Sequence, residues 1–246
     1  MTSRILFLDI ETAPNTAYVW ALFDQNISTD QIVDTSYILC ASWKWHKEKE
    51  VHYVKVTGDE IRSLHTLHKA MDEADIIVHY NGIKFDIPTL NREFILYGLA
   101  PPAPSKHIDL LKVVRRQFKF SSNKLDFVCQ QLGLRTKVKH KGMELWTGCI
   151  GGDKASWKVM EEYNKRDVII LEDLYKVLLP WIPNHPNTTL YTAGKLACPR
   201  CGSVKYQSRG VEHTLTCSYK RYKCNGCNGW FKGELIKGER VEHRAC

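Results

Sequence analysis

The sequence predicts an α/β domain, a mixed five-stranded sheet flanked by helices, followed by a small cysteine-rich module. Three observations carry this expectation. A short apolar run near the start is followed by two alternating, β-prone segments. From residue 59 onward, helical and strand patterns take turns, as they do when helices cover both faces of a sheet. Finally, six of the nine cysteines crowd into the last 49 of 246 residues.

Taken in order, residues 4–10 (RILFLDI) are rich in Ile, Leu and Phe and predict a buried strand. Residues 12–36 are mixed and polar and predict a long loop with room for a helical turn. Segments 37–45 and 50–56 alternate and are joined by the charged HKEK, the pattern of a hairpin. Asp59 is placed to cap a helix running to about Asp72, with Ile61, Leu64, Leu67, His68 and Met71 on one face. Residues 75–80 (DIIVHY) form a strand, NGIKFD a turn, and 87–98 a helix that Gly98 ends. The segment HIDLLKVVRRQF starts as a strand and passes into a helix. A further helix covers 123–132 and stops before Gly133. Residues 135–155, basic and Gly-rich, predict a loop. Ser156 is expected to cap a long helix that Pro180 ends. The stretch PWIPNHPN marks a linker. The expected division is a first domain at 1–183, a linker at 184–194 and a second domain at 195–246.

Composition is that of a globular protein, 43% hydrophobic and 25% charged. No run approaches the ~18 apolar residues of a membrane span. The start MTSRILFLDIETAP is interrupted by an Asp and a Glu, so it is not expected to act as an export signal, and a cytoplasmic location follows. An odd cysteine count without an export signal argues against a disulfide framework. The net charge of +8 is uneven. Residues 190–246 hold 11 Lys/Arg against 4 Asp/Glu, whereas the remainder holds 24 against 23. A basic tail beside a nearly neutral domain suggests a polyanionic partner.

Asp9 and Glu11 lie two apart on a strand, so their side chains share one face. They sit at its C-terminal end, where open α/β sheets place their sites. Asp86 begins the helix after NGIKFD, and alone would be an N-cap. Tyr163 and Asp167 lie four apart in a helix and share a face. Together, DIET, NGIKFD and YNKRD resemble the three exonuclease motifs of the RNase H-like (DnaQ-like) DEDD superfamily. Their form is most similar to that in the exonuclease domain of family B DNA polymerases. The resemblance covers residues 4–180. It implies an RNase H-like sheet and a metal-dependent 3′→5′ exonuclease, with Asp9, Glu11, Asp86 and Asp167 as ligands of two Mg²⁺ or Mn²⁺ ions. Position 162 is Glu and position 163 is Tyr, which resembles the tyrosine branch rather than the histidine branch. Tyr163 would then orient the attacking water, because a free phenol with a pKa of ~10 is a poor base.

The same resemblance assigns substrate contacts to Thr12 and Asn81. Phe85, just before Asp86, lines the site or stacks on a base, or belongs to the core, which is the expected place. Asp109 supports the ligands, or is a strand-end or helix-cap acid. Tyr18, Trp20 and Phe23 form a wedge against a terminal base or, as expected, pack onto the domain. Lys137, Lys139, His140 and Lys141 contact phosphate or form a solvated loop.

Cys198-Pro-Arg-Cys201 and Cys224-Asn-Gly-Cys227 are two CxxC knuckles separated by 22 residues. Four thiolates in that pattern suit one tetrahedral Zn²⁺ and resemble a zinc ribbon. Cys217 and Cys246 are spare, and His213 and His243 are less well spaced substitutes. The tail holds too little core to fold alone, so the metal is its staple. Tyr219, Lys220, Arg221, Tyr222, Lys223 and Trp230 interleave charge with aromatic surface, as a single-strand binder does. The expected partner is nucleic acid, single-stranded DNA or 3′ ends, with RNA as the alternative of the same chemistry. Docking of a replication or repair protein through the ribbon is the other expectation for the tail. With no polymerase region after the motifs, the expected enzyme acts on its own. A non-catalytic binding module would require a lost carboxylate, and all four are present.

Overall fold

The computed structural model describes residues 3–191 and 196–236. Cys246, His243, residues 192–194 of the expected linker and the end of the expected second domain lie outside the described residues. The chain divides into two compact units, Arg4–Leu174 and a smaller one from Tyr175 onward.

In the larger unit, strand β1 (Ile5–Thr12) lies in the middle of a five-stranded sheet. Its run Ile5–Leu8 is fully buried, as a strand covered on both faces must be. After a two-stranded ribbon of β2 (Thr16–Ala17) and β3 (Ile32–Asp34), β4 (Ile38–Trp45) pairs antiparallel to β1 and β5 (His52–Lys55) antiparallel to β4. Helix α1 (Glu60–Asp72) crosses to β6 (Ile76–His79), which runs parallel to β1. Helix α2 (Asp86–Leu96) leads to β7 (Lys106–Asp109), parallel to β6. The sheet order is β5-β4-β1-β6-β7. Helices α3 (Leu110–Gln117), α4 (Leu125–Gln131), α5 (Met143–Ile150) and α6 (Lys154–Leu178) follow.

Period-two alternation divides β1 between two cores. Leu6, Leu8 and Ile10 pack with Leu64, Leu67 and Met71 of α1 and Leu90 and Phe94 of α2. The opposite face carries Phe7, Asp9 and Glu11. Beside it, Leu39 and Cys40 of β4 pack with Leu145 and Cys149 of α5 and Met160 and Tyr163 of α6. Lys44, on the same face of β4, is 2.7 Å from the Glu172 carboxylate of α6, and both side chains are buried. This ion pair ties the long helix to the sheet.

Several local expectations need correction. Residues 135–155 are not all loop. Leu145 and Cys149, four apart, put an apolar face on α5 that the surrounding Gly and Lys residues masked. Asp153, not Ser156, caps α6: its carboxylate accepts the Ser156 backbone N–H at 2.8 Å and the Ser156 hydroxyl at 2.6 Å. Ile61 is exposed rather than on the buried face of α1. The 12–36 loop contains the β2–β3 ribbon, and its Tyr18, Trp20 and Phe23 do not pack onto the domain; they are 78%, 97% and 81% exposed. Asp59 does cap α1, accepting the Arg62 N–H at 3.2 Å. Gly98 and Gly133 adopt the left-handed conformation after α2 and α4.

The smaller unit holds a three-stranded antiparallel sheet, β10 (Trp230–Leu235), β9 (Ser218–Cys224) and β8 (Tyr206–His213), in that order. Its core is Cys198, Tyr222, Cys224 and Phe231. Tyr222 is therefore interior, not part of an aromatic surface. Thr188, in the expected linker, donates its N–H (2.7 Å) and hydroxyl (3.0 Å) to the carbonyl of Pro199, tying that segment to the first knuckle. No helix among the described residues is long and apolar enough to cross a membrane.

Removing Lys44 leaves the buried Glu172 carboxylate with the His46 ring, 3.3 Å away, in place of a full ammonium charge in low dielectric. Lys44→Met is expected to lower stability by about 3 kcal/mol, measured by urea unfolding. A change below about 0.5 kcal/mol would mean that the pair is not needed to hold α6.

Candidate active site and metal centre

Burial and charge make the C-terminal end of β1 unusual. Asp9 and Glu11 project from one face of a strand that is otherwise apolar, and α6 lays Asp167 against them. One carboxylate oxygen from each of Asp9, Glu11 and Asp167 lies within 4.8 Å of the other two. Asp86 is buried beside this trio at the start of α2, but its carboxylate turns to the backbone, accepting the Ile10 N–H at 3.2 Å. The four expected acids are thus neighbours, with three converging and the fourth anchored to β1.

Desolvation dominates their electrostatics. Burial raises the Asp9 carboxyl well above its ordinary value, and Asp167, Glu11 and Asp86 add like-charge repulsion. Glu11 is pushed up to about 8, by burial first and then by Asp167 and Asp86 against the opposing Lys137. Asp86 rises to about 7 and Asp167 also rises, burial leading in both. One buried oxygen of Asp167, Oδ1, has no hydrogen-bond partner.

Two residues that the motifs did not flag complete the site. Lys137 places its ammonium on Asp167 and 3.0 Å from the Tyr163 hydroxyl, to which it donates. Burial alone would depress this ammonium, but Asp167, Tyr163 and Asp9 raise it above its ordinary value. Lys137 is thus half-buried against Asp167 and Tyr163 rather than solvated. Asn164, fully buried, donates to Asp9 Oδ2 at 2.7 Å. Its signal was present: it lies three before Asp167 on the same helix face, inside YNKRD.

Tyr163 is buried, with the rings of His140 and Trp146 edge-on at 4.9 and 6.0 Å. Burial, then Asp167, raises its phenol above the ordinary value, so it stays protonated and can donate or orient. Lys141 pairs with Glu144 at 3.0 Å, away from the acids.

Asn81 has left-handed backbone (φ 70°) and donates its N–H to Asp109 at 2.9 Å. Asp109 also accepts the Leu111 N–H at 3.1 Å, so it both caps α3 and holds the NGIKFD turn. His79 accepts the Gly82 N–H at 3.1 Å, and a methyl group at Gly82 would stand 2.4 Å from the His79 ring. Phe85 is 43% exposed, contrary to the expected core place. Thr12 is half-buried at the register shift that ends β1. An open cleft of about 580 Å³ runs from Asp9 past Asn81 and carries Arg115, Lys124 and Lys137 on its walls.

The donor sets fit different metals. Converging carboxylates, raised by burial and one with an orphaned oxygen, suit hard divalent cations such as Mg²⁺ or Mn²⁺. In the smaller unit, Cys198, Cys201, Cys224 and Cys227 bring their sulfurs within 4.8 Å of one another. Cys198 and Cys227 are 3.7 Å apart and Cys201 and Cys224 3.6 Å. Disulfide sulfurs would be ~2.05 Å apart, whereas tetrahedral Zn–S bonds of ~2.3 Å place sulfurs ~3.8 Å apart. The set fits Zn²⁺. Cys217 lies outside it, and His213 hydrogen-bonds Ser218 at 2.8 Å instead.

Two outcomes follow. Glu11 binds its proton more tightly folded (about 8) than at its ordinary 4.5, so the folded state holds more protons between those values. Without divalent ions, stability should therefore fall as pH rises from 5 to 8. Millimolar Mn²⁺ should raise Tm more at pH 8 than at pH 5. A Tm that rises with pH in EDTA would contradict the crowded-carboxylate account. Separately, elemental analysis should find one zinc per chain in the parent and none in Cys224→Ser; an unchanged stoichiometry would exclude this ligand set.

Comparison with known proteins follows the same lines. A model of the RNase H superfamily matches residues 6–179. The solved family B DNA polymerase of the hyperthermophilic archaeon Pyrobaculum calidifontis superposes with a TM-score of 0.56 at 19% identity. That match covers 87% of this chain and 31% of the polymerase. No curated protein sequence matches. The five-stranded mixed sheet and the family match over most of the chain agree, and this protein belongs to the RNase H superfamily.

Proposed function

We propose that the protein is a metal-dependent 3′→5′ exonuclease of the tyrosine branch, acting on single-stranded DNA or frayed 3′ ends. The observation that carries this reading is the convergence of Asp9, Glu11 and Asp167 with Asp86 behind them. Four crowded acids, two buried and two half-buried, repel one another and are tolerated where cations and a polyanionic substrate meet.

Asp9, Glu11 and Asp167, with Asp86, would hold two Mg²⁺ or Mn²⁺ ions. Such ions, when bound, supply Lewis-acid stabilisation of the attacking and leaving oxygens. The protein's own groups do the positioning. Asn164 locks Asp9 through its 2.7 Å hydrogen bond. Tyr163, protonated and held by Lys137, fixes the attacking water rather than taking its proton. Lys137 offers positive charge to the phosphate under attack. Arg115 and Lys124 on the cleft wall neutralise flanking phosphates. Asn81 and Thr12 border the terminal nucleotide, and exposed Phe85 can stack on its base. Zinc at the four cysteines is structural, the expected 184–194 segment joins the two domains, and a cytoplasmic location suits the unpaired thiols.

A 5′-labelled oligonucleotide with Mg²⁺ or Mn²⁺ should shorten stepwise from its 3′ end. Single-stranded DNA, duplex DNA and RNA, run in parallel, assign the substrate. Asp9→Ala should abolish shortening, a loss of at least about 10³-fold in kcat. Tyr163→Phe, which removes an orienting hydroxyl, should cost about 10- to 100-fold. Internal cuts, full activity in EDTA or an active Asp9→Ala would each defeat the proposal.

A further inference from the structure

The sheet of the smaller unit has two unlike faces. Phe231 opposite Tyr222 points into the cysteine core. The next residues along each strand therefore point outward. Trp230 lies opposite Lys223, and Lys232 opposite Arg221, so all four share the outer face. The Arg221 guanidinium is 5.1 Å and the Lys223 ammonium 5.9 Å from the Trp230 ring centre. Trp230 nonetheless remains 47% exposed.

The charges on this face are not equally satisfied. Lys232 pairs with Glu212 at 3.1 Å and Lys220 with Glu234 at 2.7 Å. Among the described residues, Arg221 and Lys223 form no ion pair with a carboxylate. The Arg221 Nε–H instead donates to the Arg209 carbonyl at 3.0 Å, which fixes the guanidinium beside the indole. Arg200 donates to the Trp230 carbonyl at 2.6 Å, anchoring the start of β10 next to the Cys227 knuckle. An aromatic plane between two unneutralised cations, on a strand pinned at its backbone, matches the repeating unit of a single strand: one base and its flanking phosphates. A duplex hides its bases and offers nothing to stack.

We propose that this outer face is a nucleic-acid subsite, with Trp230 stacking on an unpaired base and Arg221 and Lys223 holding the adjacent phosphates. It deepens the exonuclease reading, on which the choice of a nucleic-acid ligand rests, by giving the strand a second grip apart from the carboxylate cleft. Complementary charge commits the face to this occupant; an acidic protein segment would match the cations but leave the exposed indole unused.

The test uses the full chain carrying Asp9→Asn, without added divalent metal, and fluorescein-labelled dT20 as the probe. Zinc content and Tm of each variant confirm that the ribbon is folded. Trp230→Ala should weaken binding about tenfold, and Trp230→Phe, which keeps a stacking plane, should restore most of it. The double variant Arg221→Ala/Lys223→Ala should reduce the slope of log Kd against log salt by about 1.4, two phosphates at ~0.7 each. Equal affinity and slope in all variants would overturn the proposal. So would loss in the double variant with none in Trp230→Ala, because that describes a basic patch without a base subsite. Stronger competition by poly-glutamate than by unlabelled dT20 would also overturn it, in favour of a protein partner. Binding is read without cleavage, so a parent chain that binds dT20 through Trp230 but does not hydrolyse it would refute the exonuclease reading alone.

Discussion

Mutual repulsion among crowded, poorly solvated carboxylates is the constraint around which the larger unit is organised. Bringing Asp9, Glu11 and Asp167 within 4.8 Å of one another, away from bulk water, opposes folding. The apolar remainder of β1 anchors the first two, since Leu6, Leu8 and Ile10 are locked into the core beneath α1 and α2. The third is delivered by α6, whose position depends on the Lys44–Glu172 pair and on the packing of Tyr163 and Met160 against β4 and α5. Stability is thus drawn from both faces of the sheet to hold one unfavourable cluster, as expected where function rather than folding selects the residues.

Partial compensation is built into the protein itself. The Ile10 N–H satisfies Asp86, Asn164 satisfies Asp9 and Lys137 counters Asp167. Asp167 Oδ1 is left without a partner. Compensation of this kind orients each acid, so the geometry is prepared before any cation or substrate arrives. The turn carrying Asn81 is held similarly, by Asp109 on one side and His79 on the other. The smaller unit solves an opposite problem. Its aromatic core is small, and its four cysteines are gathered at distances from which a bound metal would cross-link the sheet.

Much of this architecture could be foreseen. Strands with continuous apolar runs, helices with clear caps and the two cysteine knuckles are set by local period and spacing. The failures are equally physical. Helix α5 escaped notice because its apolar face is only two residues wide. Asp153 displaced Ser156 as a cap because a carboxylate can accept from both the hydroxyl and the backbone N–H of Ser156. Phe85 and Trp20 were expected inside because large aromatics usually are, and both are outside.

By itself, the sequence determined the acids, their order along the chain and the elements that carry them, because these depend on residue type and short-range periodicity. It also determined which four cysteines gather, because two CxxC turns leave few other arrangements. Only the tertiary structure decided that Asp86 turns to the Ile10 backbone and that Lys137 and Asn164 enter the site. It alone separated Tyr222 in the ribbon core from Trp230 on the outer face. Those outcomes depend on contacts between residues as far as 155 positions apart, and no local pattern encodes which side chain will lie across such a distance.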